Sequence, residues 1–285
     1  MNTQAATVLR RPHTPTPRAS LRASALLALF LALAASPRAL AQSGATTTAA
    51  PPATATAQTA QARTPAEVVR EFYRALREKR FREALVMSVY RPAVESLSAQ
   101  EYEEFRPDFE RLAGVVLPEV VIGGEQVSGD VATVFGKFTE EDLAGPPKPV
   151  TLIREGGAWI VGDRASFDAV RKAGRGYFLE ARITTHHGEV EDLLRRLAAV
   201  QMAYAARHGG VYGDLPALVR EGLMPDDALT PDSTGYRIYV KLDKGGRAFT
   251  AGAEPARYGQ TGRLSFFMDA RGQIKSKDAG GKPIK

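Results

Sequence analysis

Cysteine is absent from all 285 residues. That excludes disulfides, thiol nucleophiles and thiolate metal sites, and also the lipid-acceptor cysteine of an acylated leader. The sequence also lacks a P-loop, a dinucleotide fingerprint, a G-x-S-x-G nucleophile turn and an H-E-x-x-H zinc motif. The apolar run Ala23–Ala35 has 13 residues, short of the about 20 that cross a bilayer. A net excess of positive charge is nearly missing too, once charge is placed along the chain. Residues 1–41 hold five arginines and no acid, so the net charge of +6 falls to +1 without them. The alkaline character therefore gives no argument for nucleic acid or an anionic membrane.

What is present begins with targeting grammar. Arg10, Arg11, Arg18 and Arg22 precede the short apolar run, followed by Pro37 and the small-x-small triplet Ala39-Leu40-Ala41. This order of charge, apolar run and A-x-A reads as a signal peptide cut before Gln42. Pro12 and His13 follow the paired arginines, which favours ordinary unfolded export. The expectation is a periplasmic or secreted protein with no transmembrane segment after cleavage. Residues 42–63 are an Ala/Thr/Pro tract without large apolar side chains, too poor in core formers to order itself.

Order starts at Thr64-Pro65-Ala66-Glu67, a capping box with proline at the first helical position. Val68, Val69, Phe72, Tyr73 and Leu76 then recur at helical spacing. A short helix over Phe81–Val89 should stop before Pro92. A second capping box, Ser98 to Glu101, opens a helix that Pro107 should kink or split. The period then changes, giving strands over Glu119–Val127, Val131–Phe138, Pro149–Ile153 and Ala158–Val161. Asp163 to Gly174 reads as a short helix or connector. A long helix is expected from His187 to His208, ended by Gly209-Gly210. Asp214-Leu215-Pro216 starts a short helix. Strands follow at Gly235–Leu242, Arg247–Ala253, Arg263–Asp269 and Gln273–Ser276. Helices followed by antiparallel strands, twice over, predict an α+β chain of two domains. The divisions expected are leader 1–41, linker 42–63, first domain 64–163, connector 164–184 and second domain 185–285. From Thr64 to Arg175 the net charge is −3, and from Gly176 onward it is +3.

Two resemblances follow. The helix PAEVVREFYRALREKRFREAL, the SAQEYEEF helix and the LIREGGAWIVGD hairpin with the single Trp159 resemble the nuclear transport factor 2-like superfamily. That resemblance implies a bent sheet wrapped around helices as a cone-shaped pocket. The superfamily's enzymes use His or Asp with Tyr in the cone, whereas this half has no histidine. Tyr73, Tyr90, Asp108 and Asp163 are the polar groups left for such a pocket. The stretch VEDLLRRLAAVQMAYAARHGGVYGDLPALVREGL, then GYRIYV and TGRLSFFMDARGQI, resembles the globular headpiece of type IV pilins and pseudopilins. Gly176-Tyr177-Phe178-Leu179-Glu180 mimics a pilin processing site. Its glutamate stands fourth instead of fifth, and Thr184, Thr185, His186 and His187 replace the apolar stem. The resemblance thus implies a headpiece without the means to polymerise.

Two candidate metal clusters stand out. His186 and His187 with Glu189 and Glu191 look like ligands, but neighbours on a helix point about 100° apart, which favours a solvated polar helix start. Asp226, Asp227 and Asp232 offer hard oxygens of the kind calcium takes, or a partner-binding loop. No other cofactor is expected. Tyr236, Tyr239, Phe266 and Phe267 read as sheet packing. The function expected is an exported, non-catalytic binding or assembly protein of the cell envelope with a protein partner and no nucleic acid. The alternative is a small-ligand carrier or enzyme using the cone pocket.

Overall fold

The structure is a computed structural model and describes residues 63–232 and 234–285. The leader and all but the last residue of the expected linker lie outside the described residues. No described helix is long and apolar enough to cross a membrane.

The order is α1 (Pro65–Arg77), α2 (Phe81–Val86), α3 (Arg91–Glu95), α4 (Ala99–Ala113), then strands β1 (Val116–Ser128), β2 (Val131–Thr139), β3 (Lys148–Glu155) and β4 (Ala158–Val161). Next come α5 (Arg164–Ala173), α6 (Tyr177–Arg207), α7 (Leu215–Arg220), and β5 (Tyr236–Leu242), β6 (Phe249–Pro255), β7 (Leu264–Met268) and β8 (Ile274–Asp278). Strands pair in sequence order into two separate four-stranded antiparallel sheets. The α+β class is therefore as expected. Both capping boxes form: Thr64 accepts from the Glu67 amide and Ser98 from the Glu101 amide.

Register shifts between Val116 and Val121, and between Ile122 and Gly124, bend β1, because an extra residue on one strand kinks it. Its inward positions Ala132, Val134 and Phe138 on β2 close over α1. The free edge of β4 is capped by chain: Val89 N–H donates to the Val161 carbonyl, and Val161 N–H to Met87. Trp159 is 8% exposed, with Arg154 stacked 4.8 Å from its ring centre. Trp159→Ala should cost about 3–5 kcal/mol, read by denaturant titration. A loss below about 1 kcal/mol would mean the ring does not belong to the core.

The helix from Phe81 stops before Pro92 as expected, ending at Val86, and Pro92 itself occupies the first turn of α3, where its missing N–H has no intrahelical role. Two other sequence expectations need correction. Pro107 does not split α4, which runs unbroken while Phe105, Phe109 and Leu112 hold it to the core. The largest correction concerns the long helix. It starts at Tyr177, ten residues before His187, and runs 31 residues. Its first turn enters the N-terminal core: Phe178 lies 5.4 Å from Phe109 and 5.8 Å from Phe105 between ring centres. Its later positions Val190, Leu193, Leu194 and Leu197 enter a second core with β5–β7 and α7. The expected connector is thus a helix, a short turn and the start of a rod common to both cores.

Candidate functional site

Of the polar candidates Tyr73, Tyr90 and Asp163, Tyr90 is the shared neighbour: Asp163 and Tyr73 both stand close enough to act on its hydroxyl electrostatically. Tyr73 stacks on Phe138 at 4.7 Å with 14° between ring planes. Desolvation is the main reason its hydroxyl is held well above the usual tyrosine range. The recess beside it is ≈ 120 Å³, lined by Arg70, Arg74, Leu117 and Glu119 among others. Tyr90 is 3% exposed and its ring packs on Tyr177 and Phe178. Burial likewise raises its hydroxyl. Asp163 caps α5, accepting from the Ser166 amide at 2.8 Å and the Ser166 hydroxyl at 2.9 Å. Such a cap satisfies an N–H that the helix itself leaves open.

Asp226 and Asp227 stand on a short 3-10 turn, Asp226–Leu229, and Asp232 follows on the next loop. Among the described residues, no three His, Asp or Glu are gathered as a metal site. Asp232 instead reaches a different place, a cleft of ≈ 430 Å³ between the two halves.

That cleft escaped the sequence reading because its lining residues are scattered along the chain from Glu104 to Thr261. One wall is α4 and the early turns of α6; the other is the start of β5 and the β6–β7 loop. On the first wall Arg182 donates to Asp108 at 2.8 Å and to the Glu104 carbonyl at 2.7 Å, and lies 4.3 Å over the Phe105 ring. Arg111 also donates to Asp108, at 3.3 Å. Asp108 is thereby committed to two arginines of the same wall. On the second wall Arg237 donates to the Ala256 carbonyl at 3.1 Å. Arg237 and Arg257 form no ion pair with a carboxylate among the described residues.

His186 sits at the floor, 5% exposed. Its Nδ1 donates to the Thr261 carbonyl at 2.8 Å, which fixes the proton on that nitrogen. Next along the helix, His187 Nε2 accepts from the backbone N–H groups of Arg263 and Leu264 at 3.1 and 3.3 Å. The two histidines are therefore no solvated helix start. Adjacent on one helix, they grip one backbone segment, one as donor and one as acceptor. Burial pushes both imidazoles below the ordinary histidine range. Glu189, one turn on, is pushed up to about 7 by burial, and its Oε2 has no partner among the described residues. Gly235, at φ +69°, lies against His186: a Cβ there would stand 2.7 Å from Nδ1. Glycine meets both the close approach and the left-handed backbone.

The signal that was legible in the sequence was the His-His-x-Glu cluster. The error was its assignment to the start of the helix instead of its middle. Against family models, curated proteins and solved structures the chain has no match, so its role is read from its own geometry.

Proposed function

We infer that the chain is an exported, non-catalytic binding or assembly protein of the bacterial cell envelope, with a pilus or secretion apparatus as the assembly it would serve. The observation that carries this reading is the cleft. Both halves contribute to it, its volume of ≈ 430 Å³ falls in the range of ligand-sized sites, and two arginines on one wall await a carboxylate. Arginine forks bind such groups in pairs of charge-assisted bonds. The leader grammar supports export, and the resemblance of the second half to a pilin headpiece without a stem supports recognition over polymerisation.

The test is capture of partners from the envelope by the tagged exported protein. Arg237→Glu with Arg257→Glu should remove the partner recovered by the parent while the melting temperature stays unchanged. Reversing Asp226 and Asp227 with Asp232 left intact separates loop from cleft, since of the three only Asp232 lines the cleft. Recovery unaffected by the arginine pair would sink the cleft as the contact surface. Amino-terminal sequencing of the exported form should begin at Gln42; retention of residues 23–35 would overturn export as a cleaved protein.

A further inference from the structure

An open sheet edge is a row of unpaired backbone N–H and C=O groups, and the two described sheets have four edges. Three are poor lines for a further strand. The chain around Met87 and Val89 caps β4. Two register shifts bend β1, and the first turn of α1 reaches it, Ala66 N–H donating to Glu125 Oε2 at 2.8 Å. β8 has five residues and contributes none to the cleft. β5 differs from all three. It pairs with β6 over seven consecutive residues without a shift, and its first turn of chain, at Gly235 and Arg237, lines the cleft.

At one end of that pairing Ala256 N–H donates to the Gly235 carbonyl at 2.9 Å, and at the other Asp243 N–H donates to the Ala248 carbonyl at 3.0 Å. Antiparallel pairs alternate between bonded and unbonded along a strand. Arg237, Tyr239 and Lys241 therefore turn their backbone groups to β6, and Tyr236, Ile238, Val240 and Leu242 turn theirs outward. Pro255, which has no N–H to exchange, stands opposite Tyr236 and fits that phase. Thr234 Oγ1 closes the first outward position, accepting from the Tyr236 amide at 3.2 Å and donating to its carbonyl at 3.4 Å. The backbone groups of Ile238, Val240 and Leu242 have no partner among the described residues. Their side chains, half-buried at Ile238 and Val240 and exposed at Leu242, leave an apolar margin along the same edge.

We propose that β5 receives the carboxy-terminal strand of a partner protein, paired antiparallel, with its terminal carboxylate in the cleft at Arg237 and Arg257. The proposal rests on the reading of the cleft as the partner's contact surface. In such strand addition, main-chain bonds supply affinity and the side-chain sites beside the edge supply specificity. Thr234 ends the open edge at the cleft, so an added strand stops there and its last group meets the arginines. An antiparallel strand brings its carboxylate to that end. A parallel one brings its ammonium group, which the arginines repel. The cleft's four arginines outnumber its acids Glu104, Asp108 and Asp232, and Asp108 is already engaged by two arginines of the facing wall.

The probe is a fluorescein-labelled octapeptide of alternating threonine and valine with a free carboxy terminus, titrated with the full-length chain by fluorescence anisotropy. It should bind, and its carboxy-terminal amide should bind at least about tenfold more weakly. The same peptide N-methylated at alternate residues, which removes its edge-facing donors, should not bind. Hydrogen exchange read by NMR gives the register. Amides of Ile238, Val240 and Leu242 should exchange fast in the free chain and slowly with peptide, while those of Arg237, Tyr239 and Lys241 stay protected throughout. Val240→Pro removes only an outward N–H, so the variant should keep its melting temperature and bind peptide about tenfold more weakly. If that variant fails to fold, the methylated peptide and the exchange pattern decide. No binding, equal affinity for acid and amide, or Ile238 and Val240 amides already protected in the free chain would each overturn the proposal. So would protection that appears with chain concentration alone, which makes a second copy the occupant. Envelope capture that survives Val240→Pro but not the reversal of Arg237 and Arg257 leaves the cleft reading intact and overturns strand addition alone.

Discussion

Phe178→Ala is expected to lower the unfolding free energy by about 3–5 kcal/mol, although the residue lies outside the bent-sheet half as the sequence divides it. Phe178 is 7% exposed and contacts Tyr90, Phe105, Phe109 and Tyr177 by ring packing. Truncation leaves a cavity among rings that α4 and α6 hold in place, and such rigid surroundings collapse poorly. Denaturant titration followed by Trp159 fluorescence reads the N-terminal core directly. A loss below about 1 kcal/mol would show that the first turn of α6 is an appendage of that core. Because α6 is continuous into the second core, the expected curve is a single transition that shifts as a whole.

The second large effect concerns pH. His186 and His187 are held neutral, with folded pKa values below the unfolded one. Their contribution is fully present above about pH 6.5 and is lost as pH falls through the lowered values, at about 1.4 kcal/mol per pH unit for each proton taken up. Protonated His187 would present an N–H to the amides of Arg263 and Leu264 in place of an acceptor. Glu189 works in the opposite sense. Its folded pKa is raised from 4.5 to about 7, so its contribution is present in acid and is lost as pH rises from about 4.5 through 7. Asp108 adds to the upward push and Arg111 and Arg196 oppose it, with burial the main cause. The two ranges overlap between about pH 4.5 and 6.5, where the opposing contributions partly offset each other. Glu189→Gln should remove the alkaline loss, leaving the variant more stable than the parent by about 2–3 kcal/mol at pH 8 and nearly equal at pH 4.5. Urea titrations of both proteins across that range provide the check. Parallel curves at all pH values would mean that Glu189 is not held protonated by the fold.

Local physics made most of the elements legible in advance. The capping boxes at Thr64 and Ser98 needed only a side chain and the amide three residues on. Alternation over Val131–Thr139 needed only one buried face. What local pattern could not reveal was the beginning of α6. Thr184, Thr185, His186 and His187 are weak helix formers, and their stretch looked like a gap between periodic segments. The structure offsets that weakness with long-range bonds: Arg182 to Asp108, His186 to Thr261 and His187 to the start of β7. Gln201 shows the same limit. Buried at 0% in an apolar stripe, it donates to the Gly213 carbonyl at 2.6 Å and accepts from the Gly213 amide at 3.0 Å. Its place in the core follows from a loop twelve residues away, which helical periodicity does not encode. The cleft was invisible for the same reason, since Arg111 and Arg257 line one space only once the two halves have folded. Tyr239 and Phe267 are half-buried and lie on the opposite face of the sheet from the core residues Tyr236 and Phe266, since a single-residue step along a strand changes face.

The 31 residues of α6 amount to about 45 Å of rod at 1.5 Å per residue. A tether between two bodies stretches under load; a helix seated in both cores does not. Force applied to the C-terminal half would pass through the backbone of α6 directly into Phe178 and the rings around it, with no slack to absorb it. A protein built this way transmits tension and torque between its ends as one lever.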